Sequence, residues 1–251
     1  MSNATTATRI VRNRLDTVWT TALGNMSKIN NNMDVQPRPL DKAFTLSEET
    51  SSTVEVRAND IVFKVPEDAK SKKTLYICLS GAILIEAPGG FGKSSDFRTT
   101  RFQTRVAYFR AKEALQHVYG VHYDMDEERV AHPVFHGQMR PFLDKSECVC
   151  RNYKLDLVAE NHMKGVLQNV RIPSAQMDFF SVVTQICADH MLDKTSDDNS
   201  RKAFQSVRKA CDFFSGAAHR LEYLNSEPAI SCYRSTHWYA SPSATAMKAG
   251  D

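Results

Sequence analysis

A chain of 251 residues with 42% hydrophobic and 24% charged residues sits near globular averages, which excludes wholesale disorder and allows one large domain with a sizeable core. The formal net charge of +3 is too small by itself to argue for nucleic acid, and no apolar run approaches the roughly 20 residues that cross a bilayer. Residues 1–6 lack the charged-then-apolar pattern of a secretion signal and six cysteines make no dense disulfide framework, so a cytoplasmic location is expected.

Val11, Leu15, Val18, Ala22 and Met26 recur at three- and four-residue steps with Trp19 beside them, which predicts a helix over residues 8–26. Residues 30–39, with three consecutive asparagines, Pro37 and Pro39, cannot extend that helix and read as a linker. Alternation then takes over. Val54 and Val56, followed across Asn59-Asp60 by Ile61, Phe63 and Val65, predict a hairpin. Two further apolar runs, 75–79 and 82–85, flank Ser80-Gly81. Connections this short permit only antiparallel neighbours, so a meander sheet is expected, with helices covering one face.

The run Ala87-Pro88-Gly89-Gly90-Phe91-Gly92-Lys93-Ser94 fits a loose phosphate-loop form, in which glycines admit phosphates to backbone amides and lysine reaches the outer oxygens. A true nucleotide-binding core needs a parallel sheet, which the flanking meander does not offer, so a glycine-rich turn is the plainer alternative. A second helix is predicted over residues 95–119 from the stripe Ala107, Tyr108, Ala111, Leu115 and Val118. Arg98, Arg101, Arg105 and Lys112 lie beside it as a basic stripe, either a solvated face or a set of phosphate contacts. Gly120 would close this helix as a C-cap.

The segment that follows carries the best functional clue. His122-Tyr123-Asp124, a polar run to Arg129, then Val130-Ala131-His132-Pro133-Val134-Phe135-His136 predict a hairpin whose turn near Glu127 pairs 122 with 132 and 124 with 130. Strand side chains alternate, so His122, Asp124, His132 and His136 share one face and Tyr123 faces the core. Imidazoles with a carboxylate suit a divalent ion such as zinc or manganese, or acid–base chemistry near neutral pH. The bland alternative is a half-exposed hairpin whose wet face happens to carry histidines.

On those residues, His122-Tyr123-Asp124 and His132-Pro133-Val134-Phe135-His136, the segment resembles small bacterial proteins of toxin or phage-defence type with a His-Tyr-Asp strand followed by His-Pro-x-x-His. The resemblance implies a nucleic-acid-directed or regulatory role in a bacterial cytoplasm.

Cys148-Val149-Cys150 would place two thiols on one strand face, read as ordinary buried cysteines, and Tyr153, Leu155 and Leu157 predict one more strand. Pro173-Ser174 starts a helix through Leu192 whose apolar residues surround most of its circumference, implying deep burial; Asp189-His190 at its end reads as a satisfied polar pair. From residue 201 to 224, Phe204, Val207, Cys211, Phe214, Ala218 and Leu221 form a narrow seam that packs one helix or docks a protein partner. Beyond Pro228 the chain is polar, and residues 241–251 are expected to be disordered.

The expected fold is therefore α+β: an antiparallel meander sheet with helices on one face (residues 1–172), a C-terminal helical pair packed on it (173–226) and a tail (227–251). Two functions remain open. One is a metal-assisted phosphodiesterase or nuclease-like enzyme using His122, Asp124, His132 and His136, with Arg101 and Arg105 holding substrate phosphate. The other is a non-catalytic adaptor that binds a protein partner through the Phe204 to Leu221 seam.

Overall fold

The computed structural model describes residues 6–87, 90–91, 97–111, 114–125, 135–140, 144–156, 171–174 and 176–212. In chain order these form α1 (Thr6–Ile29), β1 (Asp34–Gln36), α2 (Leu40–Ala43), β2 (Phe44–Thr50), β3 (Thr53–Pro66), β4 (Thr74–Glu86), β5 (Arg98–Ala111), β6 (Leu115–Met125), β7 (Phe135–Met139), α3 (Lys145–Tyr153), β8 (Arg171–Pro173), α4 (Phe179–Met191) and α5 (Asp198–Cys211). The strands make one eight-stranded sheet in which β3 to β8 follow chain order and β1 and β2 both pair with β3. All pairings are antiparallel. No helix among the described residues is long and apolar enough to cross a membrane.

Directly opposed residues share a face of an antiparallel sheet, so register separates the two sides. One side is the main core: Val56, Ile83 and Phe102 lie in a row across β3, β4 and β5, with Phe63, Ile77 and Tyr108 further along. Phe135 of β7 stacks on Phe102 with ring centres 6.0 Å apart. α1 and α4 cover this side, and α5 packs on both helices. α1 buries the predicted stripe of Val11, Leu15, Val18, Trp19, Ala22 and Met26. α4 buries Phe179, Phe180, Val182, Val183, Ile186, Cys187 and Met191, about half of its circumference and not most of it, and is started by Asp178 instead of Pro173-Ser174; the Asp178 carboxylate accepts from the backbone of Phe180 and Ser181 at 3.0 Å each. Short α3 covers one end of the opposite side, closing Val62, Cys78, Ala107, Phe109 and Leu115 under Val149.

Several expectations are corrected. Residues 98–111 and 115–125 are strands, not one helix. Thr100, Phe102 and Thr104 are buried between exposed Arg101, Gln103 and Arg105, which is period two. Further along, α3 buries the second face as well, so Val106, Ala107, Tyr108 and Phe109 are all internal and the alternation disappears. That unbroken apolar run imitates a helical stripe.

The expected hairpin at Asn59-Asp60 is a bulge within the single strand β3. The register shifts between Ala58 and Ile61, with Asp60 at φ 49°. The extra residue explains why the apolar parity moves from 54, 56 to 61, 63, 65 without the chain reversing. Ser80-Gly81 is likewise interior to β4. Gly81 has φ +153°, and a Cβ there would lie 2.1 Å from the Gln103 carbonyl oxygen.

The linker over residues 30–39 contains β1, which adds to the sheet edge, and the indole of Trp19 donates to the Arg38 carbonyl at 2.9 Å. The strand expected at residues 153–157 does not form: Tyr153 is the last residue of α3, which also carries Cys148 and Cys150, residues 154–156 are turn and irregular chain, and Leu157 lies outside the described residues.

Candidate functional site

Away from α3, the second side of the sheet is polar. Two rows cross it: Arg57, Ala82, Gln103, Asp124 and His136, then Ser80, Arg105, His122 and Gln138. Each row takes one residue per strand, so a polar surface spanning five strands is assembled from positions that look unrelated in the sequence.

β6 and β7 place the predicted site residues. Asp124 is opposite His136, and His122 is opposite Gln138, not His132. The expected pairing of 124 with 130 is therefore displaced along the strand. The displacement is an even number of residues, so facing is unchanged. Residues 126–134, including His132, lie outside the described residues. Three of the four predicted side chains are brought together, and Tyr123 packs against the main core as expected.

Asp124 is the hub. Its Oδ1 lies 2.7 Å from Nε2 of His136, and its Oδ2 lies 3.4 Å from Nε2 of His122. His136 is almost fully enclosed at 3% exposure, His122 is at 14% and Asp124 at 25%, so the carboxylate is the group that water reaches most easily. Burial pushes the His122 imidazole below its ordinary value. The Asp124 charge opposes this, and Arg105, His136 and Arg140 add to the lowering. His122 is consequently biased toward the neutral form that can accept a proton, beside a carboxylate that orients a second ring.

The cationic surroundings come from adjacent strands. Arg105 is the direct cross-strand neighbour of His122, and its guanidinium donates to Gln103 Oε1 at 3.3 Å. Arg101 and Asp124 line one cavity of about 290 Å³ together with Glu55, Arg57 and Gln103. Arg140, just past β7, donates to Gln138 Oε1 at 3.0 and 3.3 Å. A larger cleft of about 690 Å³ runs from Arg105, Gln103 and Arg57 to α3, whose Lys145, Cys148 and Arg151 form its other wall. Gln103, Arg57, Gln138 and Arg140 were not singled out from the sequence. The alternation Arg101-Gln103-Arg105 was the available signal for Gln103, and the spacing of Gln138 two residues past His136 that for Gln138.

Two imidazoles and a carboxylate are suitable in kind for zinc or manganese. Among the described residues, however, no three His, Cys, Asp or Glu side chains stand in an ion-holding arrangement. The ring nitrogens meet the carboxylate directly, so an ion would have to separate them.

Other candidates resolve differently. Ala87 and Gly90 form a turn closed by a 2.7 Å backbone hydrogen bond, and the next described element is β5. The strand–loop–helix context of a phosphate loop is absent there; Lys93, Ser94 and Lys112 lie outside the described residues. Nδ1 of His190 sits 2.9 Å from the Glu67 carbonyl oxygen, so the ring is satisfied near that helix end by the backbone of another segment and not as the expected pair with Asp189. In α5, Ala203, Val207 and Cys211 are buried, and the helix packs on α1 and α4. That half of the proposed docking seam is filled from within the chain. Phe214, Ala218 and Leu221, like the tail over 227–251, lie outside the described residues.

No protein-family model matches this chain, and neither the curated proteins nor the solved structures contain a match.

Proposed function

We propose that this protein hydrolyses phosphodiester bonds in nucleic acid, with His122, Asp124 and His136 as the reacting centre and Arg101 and Arg105 as phosphate contacts. The observation that carries the reading is the meeting of both rings on one carboxylate, with Arg105 cross-strand from His122 and Arg101 lining the same cavity as Asp124. Arginines hold phosphate oxygens and oppose the charge that builds on them. Neutral His122 takes the proton of the attacking oxygen, while Asp124 fixes His136 as the partner acid. As the alternative to this acid–base use, His122, Asp124 and His136 would, with their direct contacts opened, hold a divalent zinc or manganese ion, which when bound polarises a phosphoryl oxygen and lowers the pKa of water. The resemblance of the hairpin to toxin and phage-defence proteins supports a place in such a bacterial cytoplasmic module. The rival adaptor role loses surface where Ala203, Val207 and Cys211 are already buried.

End-labelled RNA and DNA, incubated with the protein in manganese, in zinc and in EDTA, test this. Cleavage supported by the metals and lost in EDTA is expected, and Asp124→Ala should slow it about 10²- to 10⁴-fold. Undiminished cleavage in EDTA would remove the ion from the reading. Failure to cut either polymer under any condition would remove the hydrolase.

A further inference from the structure

The α3 wall of the larger cleft holds chemistry that phosphodiester hydrolysis leaves unused. Cys148 lines that cleft in a defined polar setting. Its thiol donates to the Asp60 carbonyl oxygen at 3.3 Å, and Nδ2 of Asn152 donates to its sulfur at 3.5 Å. One turn earlier on the helix is Lys145, whose Nζ lies 2.7 Å from Asp60 Oδ1; one turn later is Arg151. Behind Cys148 is Cys78 of β4, 1% exposed, in the buried cluster that Cys148 packs against. Both are free cysteines.

The pair is asymmetric. The hydrogen bond from Cys78 holds the Cys148 thiol below its ordinary value against burial and the Asp60 charge, with Arg151 and Lys145 helping. The same hydrogen bond and deep burial push Cys78 well up. A cleft-facing sulfur that ionises more readily than an ordinary cysteine, backed by a buried neighbouring thiol that resists ionisation, is the division of labour of an oxidisable thiol and its resolving partner. Cys150 offers a built-in comparison, since it lies two residues along the same helix and its thiol is pushed up by burial and by Asp156.

We propose that Cys148 and Cys78 form a peroxide-reactive dithiol site, in which Cys148 reacts first and Cys78 resolves it to a disulfide joining α3 to β4. The Cys148 thiolate attacks one oxygen of a hydroperoxide; the S–O bond forms, the O–O bond breaks, and the departing oxygen leaves with a proton as water or an alcohol. Cys78 then attacks the Cys148 sulfur. The S–S bond forms as the S–O bond breaks, and hydroxide leaves as water with the Cys78 proton. Two thiols are oxidised by two electrons, and one hydroperoxide is reduced. The product fixes the cleft wall covalently to its floor. Nothing in this step depends on His122, Asp124 or His136.

The test uses the full chain, reduced, desalted and exposed to stoichiometric hydrogen peroxide near neutral pH, then alkylated, digested and read by mass spectrometry. A linked peptide pair joining Cys78 to Cys148, lighter by two hydrogens, is expected while Cys150 stays reduced. Cys148→Ser should abolish the link. In Cys78→Ser, Cys148 should instead be trapped by dimedone as a sulfenic acid. Iodoacetamide should alkylate Cys148 at least about 10-fold faster than Cys150 in the wild-type protein, a readout that needs no variant to fold. Equal or faster reaction at Cys150 would overturn the proposal. So would oxidation of wild-type Cys148 to the sulfinic acid with Cys78 left as a thiol.

Discussion

Acidification from about pH 7 to about pH 5 should destabilise the folded protein through His122. In the unfolded chain this imidazole titrates near its ordinary value of 6.5, whereas in the fold burial, reinforced by Arg105, His136 and Arg140, depresses it despite Asp124. Between the depressed and the ordinary value the unfolded chain binds the extra proton. Stability therefore falls as pH falls through that window; His122 adds no pH dependence above it, and the loss is complete below the folded value. One proton sets the ceiling on the slope, about 1.4 kcal/mol per pH unit. Urea unfolding of the wild type and of His122→Gln at several pH values measures it. Tryptophan fluorescence is a suitable signal because Trp19 lies edge-on to Phe44 and Phe63 in the core, with ring centres 5.1 and 6.4 Å away. All other residues are common to the two proteins, so the difference between the two curves reports on His122. A shallower acid slope is expected in the variant. Superimposable slopes below pH 6.5 would refute the burial and charge environment assigned to this ring.

Arg105→Gln should raise the His122 pKa, since it removes a cation that lowers it, and the ring-proton NMR titration of His122 would show a shift toward higher pH. Gly81→Ala should cost about 2–6 kcal/mol in urea unfolding, combining a strained positive φ with a Cβ driven into the Gln103 carbonyl. Asp178→Ala should cost about 1–2 kcal/mol by removing the acceptor for Phe180 and Ser181 at the start of α4, and Asp178→Asn, which keeps an acceptor, should cost less. Phe179→Ala, at a fully buried ring packed against Phe44 and Phe180, should cost about 3–5 kcal/mol by the same measurement.

What the sequence made legible follows from how each segment is buried. α1 read correctly because its apolar spacing is helical and its neighbours do not disturb it, whereas α4 was right in its body and end but not in its start: Pro173 closes β8, and the helix begins at Phe179 behind the Asp178 cap. The α+β class and the antiparallel sheet were reached, but the two short connections that argued for them, Asn59-Asp60 and Ser80-Gly81, lie inside the single strands β3 and β4. β5 was misread because the two faces differ along its length: one is open at Arg101 and Arg105, and both are closed at Ala107 and Phe109. Position along the chain cannot distinguish a strand buried twice from a helix buried once. At β3, the extra residue of a bulge and the first residue of a turn produce the same change of parity, and only the partner strands separate them.

The site was more legible than its register. Parity alone put His122, Asp124 and His136 on one face, and that survived the error in pairing because the displacement was even. The contributions of Gln103 and Arg57 come from other strands and depend on the order of the sheet, whereas Gln138 shares β7 and its parity with His136. The dithiol was hidden for the same reason: Cys78 and Cys148 meet only once α3 lies across β4, and the expected strand around residue 150 would have separated them.

Single-turnover cleavage of labelled RNA by wild type, His122→Ala, Asp124→Ala and the double variant tests most directly whether these side chains act as one centre. If they do, each single change removes most of the rate and the double variant is hardly slower than the worse single one, because groups that act as a unit are not additive. Losses that multiply independently, or full activity in Asp124→Ala, would contradict a shared centre on the polar face of the sheet.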